Sequence, residues 1–150
     1  MKRSERWSLL PAITVDGYLA HHVIQGAVTS AILEEFLEFK VLPLCTAGYH
    51  ILLMDNASIH RSQRVVQLCK DFGVQLEYLP PYSPDYNPIK RSFKVLKSWI
   101  KWHAAEQDDW LDFRMFLEYA VLMSCYGIDC RAWYKKCGYA GIDEDGCWEW

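Results

Sequence analysis

The chain has 150 residues, enough for one domain with a sizeable core, and at 51% apolar and 15% aromatic it is no disordered polymer. Sixteen Lys and Arg against 19 Asp and Glu leave a net charge of -3, which excludes the strongly basic balance of a free-standing nucleic-acid binder and confines any DNA contact to a local patch. The longest apolar stretches, such as that around Val121 to Cys125, fall well short of the roughly 20 residues that span a bilayer. The charged start Met1 to Arg6 is not followed by a leader pattern, so an intracellular protein, nuclear or cytoplasmic, is expected.

From Trp7 to Val15 the chain is rich in strand formers, and Asp16-Gly17 followed by Tyr18 to Val28 predicts an antiparallel hairpin. Asp before Gly at a hairpin tip is sufficiently explained by the turn. Thr29 and Ser30 cap a helix to about Leu42, with Leu33, Phe36, Leu37 and Lys40 spaced for one buried face and Pro43 as its stop. His50 to Met54 is a short, wholly apolar strand of the kind buried in the middle of a sheet, and it delivers Asp55-Asn56 to its carboxyl end, where α/β sites form.

Helix returns from about Ser62 to Phe72, with Val65, Leu68, Cys69 and Phe72 inward and Gly73 as the left-handed stop, and Val74 to Leu79 is another strand. Four prolines among residues 80–88 predict a stiff ordered loop. Asn87 as cap and Pro88 as first-turn residue open a helix that keeps Ile89, Phe93, Leu96, Ile100 and His103 at helical spacing. Lys90, Lys94, Lys97 and Lys101 form a second stripe on that helix, with Arg91 beside it; a solvated face and a phosphate-tracking face both fit this pattern. Asp108 and Asp109 open a further helix to about Cys125, and Ile128 to Cys137 makes another, ended by Gly138.

The six cysteines at 45, 69, 125, 130, 137 and 147 contain no Cys-x-x-Cys pair, so reduced core thiols are the expectation, with a metal site at Cys130, Cys137 and Cys147 the lesser alternative. Alternating strands and helices predict an α/β domain whose four strands form one mixed sheet flanked by helices.

The blocks Leu53-Met-Asp-Asn-Ala-Ser-Ile-His60 and Tyr78-Leu-Pro-Pro-Tyr-Ser-Pro-Asp-Tyr-Asn-Pro-Ile-Lys-Arg-Ser-Phe93 resemble the second and third motifs of DDE-superfamily transposases of the mariner-like type. The likeness runs from about Arg3 to His103 and more loosely through Cys137-Gly138-Tyr139. It implies an RNase H-like core over residues 1–137, helical from about 104, with 138–150 as an acidic, Trp-containing tail. It also implies DNA as partner and Mg²⁺ or Mn²⁺ as cofactor in active relatives, because paired hard cations held by clustered carboxylates stabilise both oxygens of a phosphodiester exchange.

On this resemblance Asp55 takes the middle acidic position, and Asn56, Ser58 and His60 match the residues that follow it. The third carboxylate belongs directly after Asn-Pro-Ile, at position 90, which follows Asp55 with 34 intervening residues (90 minus 55 is 35), the family's usual interval. Lys90 stands there, and the matched positions imply its ammonium beside Asp55, where active relatives hold metal. The family's first Asp lies on an upstream strand, central in the RNase H-like sheet, and the family's helix-turn-helix region lies further upstream; neither is found in this chain. The expectation is therefore an amino-terminally truncated core, catalytically inactive, whose open sheet edges favour a homo-oligomer or a strand-donating partner. A co-opted nucleic-acid- or protein-binding module using Lys90, Arg91, Lys94, Lys97 and Lys101, or a transposon relic with no selected function, are the alternatives. At most, Asp55 holds a metal ion weakly.

Overall fold

The structure, a computed structural model, describes residues 6–45, 51–55, 61–80 and 87–137. The chain divides into two compact units, Met1–Ala12 with Ala20–Asn87, and Ile13–Leu19 with Pro88–Trp150. Among the described residues no helix is long and apolar enough to cross a membrane.

Strands β1 (Trp7–Thr14) and β2 (Gly17–Gln25), whose residues outside Ile13–Leu19 belong to the first unit, form a two-stranded sheet, and the short link between them makes it antiparallel. Helix α1 (Ser30–Phe36) starts where Thr29 turns its side-chain oxygen to the Ile32 amide, the local chemistry that favours Thr at an N-cap. The helix then widens into a π-helical stretch, Leu37–Val41, and tightens into a 3-10 turn, Leu42–Leu44, around Pro43.

That widening corrects the expected burial. A π turn adds a residue to each turn, so the inward set becomes Leu33, Phe36, Leu37, Val41 and Leu42 instead of one including position 40. Lys40 is exposed and its Nζ donates to the His21 carbonyl at 3.5 Å and lies 3.2 Å from His22 Nδ1.

Strand β3 (Ile51–Met54) pairs in parallel with β4 (Gln75–Tyr78), in a register that sets Met54 opposite Tyr78. Between them runs α2 (Gln63–Asp71), capped by Ser62 Oγ accepting from the Val65 amide at 3.2 Å. It buries Val65, Leu68 and Cys69 as expected, whereas Phe72, just past the last turn, is 39% exposed. Burial pushes the Cys69 thiol up to about 11, with Cys45 adding to the shift, which suits an inert core thiol.

The single four-stranded sheet is not what forms: among the described residues there are two two-stranded sheets, β1-β2 and β3-β4. β3 has a described neighbour on one side only, so Ile51, Leu52 and Leu53 are half-buried and Met54 alone is buried.

The second unit holds α3 (Ile89–Trp102), α4 (Phe113–Cys125) and α5 (Arg131–Lys136), with the hairpin tip. Helix α4 starts later than Asp108 and Asp109 suggest. Those two lie in a 3-10 segment, Ala104–Asp109, and Asp112 is the cap, its Oδ1 accepting from the Met115 amide at 2.8 Å. Helix α5 is likewise shorter than the expected span from Ile128, and Gly138 lies outside the described residues.

The tip packs on this unit closely. The Cys130 amide donates to the Val15 carbonyl at 2.7 Å, Tyr134 Oη donates to the Ile13 carbonyl at 3.2 Å, and Val15, Cys130 and Tyr134 share a small core. Asp16 is 3.6 Å from the Arg131 guanidinium. Cys45, Cys69, Cys125, Cys130 and Cys137 are buried free thiols, and no group of three metal-ligating side chains occurs among the described residues. Cys147 lies outside them.

Candidate active site

Asp55 is the first residue past β3. The strand's alignment is fixed at that end by the Leu79 amide donating to the Met54 carbonyl at 2.8 Å, so the carboxylate is presented from a rigid edge and is itself exposed. One residue back in register, Tyr78 lies beneath the Arg61 guanidinium, 5.7 Å from its ring centroid. Burial pushes the Tyr78 phenol up, Cys69 adds to this, and Arg61 opposes it. No spacing in the sequence marks Arg61 as a neighbour of the strand ends; only the return of the chain from β3 into α2 places it there. Asn56, Ser58, His60 and residues 81–86 of the proline-rich loop lie outside the described residues.

Lys90 is exposed on the first turn of α3, in the second unit, whereas Asp55 belongs to the first. The helix begins at Ile89 with Pro88 in the cap position, one residue later than the Asn87 cap predicts, and no acidic residue occupies its first turn. An ammonium at that end faces the positive end of the helix dipole, which is the unfavourable sign.

Two turns of side chain hold the start of α3 in place. Ser92 is fully buried; its Oγ donates to the Ile89 carbonyl at 2.5 Å and is 2.7 Å from Tyr18 Oη. Burial pushes the Tyr18 phenol well above its ordinary range, the Ser92 contact opposing that shift, so Tyr18 is a neutral hydrogen-bonding group. Sequence reasoning misses this pair because its members are 74 positions apart.

Along α3 the spacing 90, 94, 97, 101 forms one row, and all four lysines are exposed, as is Arg91 on the neighbouring row. Among the described residues none of the four lysines forms an ion pair. The opposite side of the helix carries Leu96 inward and Trp99, which stacks on His103 at 3.8 Å and meets Tyr119 edge-on at 5.6 Å. The row is thus held on a packed helix and faces solvent.

A two-metal centre needs several clustered carboxylates, and among the described residues no group of three or more metal-ligating side chains occurs.

Residues 1–112 match the DDE superfamily endonuclease family. The Mos1 transposase catalytic domain, in a structure with raltegravir and Mn, is similar at a TM-score of 0.62 and 18% identity, over 89% of this chain and 73% of that one. The same domain with raltegravir and Mg gives 0.58 and 17%, over 89% and 74%. No curated protein matches the chain. At these identities the likeness speaks for the fold, an RNase H-like α/β arrangement of small sheets and helices, while the match over residues 1–112 carries the family: the chain belongs to the DDE superfamily endonucleases.

Proposed function

We propose that this DDE transposase-type core does not cut or join DNA. The observation that carries the reading is Lys90 on the first turn of α3, in the position where the family's third carboxylate follows Asn-Pro-Ile. A cation there repels the divalent ions that the chemistry requires and leaves Asp55 as the one carboxylate at the two matched positions. Asp55 then holds at most one Mg²⁺ or Mn²⁺, weakly, its remaining ligands being water or substrate phosphate. A Mn²⁺ titration read by electron paramagnetic resonance tests this: the expected result is a single site with a dissociation constant of about 1 mM or weaker, and two ions held at micromolar concentration would contradict it.

A second reading, favoured by the exposed row of Lys90, Lys94, Lys97 and Lys101 with Arg91 beside it, is that the scaffold serves as a binding module for nucleic acid, reading phosphate and not sequence. Five cations on one short helix make a local positive strip on a chain whose net charge is -3.

The open sheets extend the proposal to partners. Two-stranded sheets are marginal alone, and no described strand covers their outer edges. A second copy or a strand-donating partner would fill that place. Size-exclusion chromatography with light scattering at micromolar concentration should give a dimer or larger species, whereas a sharply melting monomer would show that the edges close without help.

A further inference from the structure

The geometry points to single-stranded nucleic acid, and not duplex, as the ligand of the α3 face, with Trp102 as a base-stacking platform at the end of the lysine row. The inference rests on the phosphate-binding reading of that row and narrows its ligand. Its second observation is independent of charge: Trp102 is 86% exposed on the last residue of α3.

The other described tryptophans of this unit are occupied. Trp99 stacks on His103, Trp110 lies 5.0 Å from Tyr119, and Trp133 packs on the Val15, Cys130 and Tyr134 core. Trp102 has no ring partner among the described residues, and its indole presents a large apolar surface to water, where a lone aromatic gains nothing from folding.

Helix spacing sets it on the row 91, 95, 98, 102, which includes Arg91 and lies about 100° around the helix from the lysine row 90, 94, 97, 101. The arrangement is therefore a cationic rail with a flat aromatic about a quarter turn around the helix from its far end. From 90 to 101 the rail is about 16 Å long at ~1.5 Å per residue, which spans roughly five nucleotides at ~3.4 Å per phosphate of a stacked strand. Beyond Trp102 the chain turns acidic at Glu106, Asp108 and Asp109, all exposed, so phosphates are repelled there and the strand's path ends at the indole.

A duplex presents phosphates but keeps its base faces stacked on one another. A single strand offers both groups that this face can hold, phosphate to the lysines and a base face to Trp102, with little dependence on sequence because every base has a π surface.

The test uses the full chain and two labelled ligands, a ten-nucleotide oligothymidine and a duplex of equal length, with anisotropy titrations of the unmodified protein, Trp102→Leu and the double variant Lys94→Glu/Lys97→Glu. Trp102 is exposed, so Trp102→Leu keeps the core, and circular dichroism confirms its fold. The expected result is tighter binding of oligothymidine than of duplex, loss of about tenfold or more of the oligothymidine affinity in Trp102→Leu, and loss of both ligands in the lysine double variant. Logarithmic affinity should fall with logarithmic salt at a slope of about -3, at ~0.7 per phosphate for the four lysines. If Trp102→Leu binds oligothymidine as the unmodified chain does while the lysine variant still fails, the stacking inference is overturned and the phosphate rail stands. If the unmodified chain binds neither ligand, both fall together.

Discussion

Lys90→Glu should strengthen Mn²⁺ binding by on the order of tenfold, equivalent to about 1.4 kcal/mol, while leaving DNA cleavage at background. On the proposed reading, in which positions 55 and 90 take the family's second and third acidic places, the substitution removes a repelling cation and supplies a second carboxylate, and both changes favour a divalent ion. It still leaves two carboxylates where clustered sets support the paired ions of phosphodiester exchange, so affinity gains more than turnover. An effect without metal accompanies it. Position 90 lies in the first turn of a helix that has no acidic residue there, so Glu is also favoured by about 0.3 to 1 kcal/mol through the helix dipole. The melting temperature should therefore rise by roughly 1 to 4 °C in the presence of a chelator. Calorimetry with and without Mn²⁺ separates the two contributions, and an unchanged metal affinity would remove position 90 from any cation site.

Gly17→Ala should cost about 3 kcal/mol or more, against about 1 to 2 kcal/mol for Gly26→Ala. Both glycines have positive φ, 103° and 97°, so the backbone strain of a side chain is common to the two. They differ in their surroundings. A Cβ on Gly17 would lie 2.8 Å from the Cys125 carbonyl oxygen and 3.1 Å from the Gly127 and Ile128 amides, while one on Gly26 meets nothing within 4 Å. The obstructing atoms are backbone at the end of α4, which cannot swing aside, so relief requires the hairpin tip to retreat from its bridge to Tyr126. Urea denaturation measures both, provided that the slopes agree. Equal losses would mean that the close approach carries no energy.

Local chemistry makes much of the fold legible in the sequence. Thr29 caps the helix expected of it, and the helix expected from about Ser62 starts one residue later with Ser62 as its cap, because a side-chain oxygen two or three residues before a free amide needs no tertiary help. The hairpin tip is legible in kind but shifted by one residue: Val15 and Asp16 make the turn and Gly17 opens β2, with Thr14 Oγ1 accepting from the Asp16 amide and donating to the Gly17 carbonyl. Failures arise where packing chooses among local equals. Asp108, Asp109 and Asp112 are all competent caps, and Asp112 is selected in a setting where Trp110 lies on Tyr119. Lys40 is misplaced because a π turn comes from packing and leaves no periodic signature before it forms. The separate sheets are a matter of missing neighbours, which strand propensity cannot report.

For the candidate site, two motif blocks single out Asp55 and Lys90 in the sequence, and the structure sets the first at the end of β3 and the second in the first turn of α3. The supports are not. Tyr18 against Ser92 and Arg61 over Tyr78 join distant segments, and the exposure of Trp102 depends on which side of α3 meets α4.

The most direct measurement is a supercoiled-plasmid nicking time course with Mg²⁺ or Mn²⁺, run on the unmodified 150-residue chain beside Asp55→Ala. The expected result is the same background rate for both proteins in either metal. Metal-dependent nicking by the unmodified chain that vanishes in Asp55→Ala would show an active centre working with Lys90 in place, and would contradict the inactive reading.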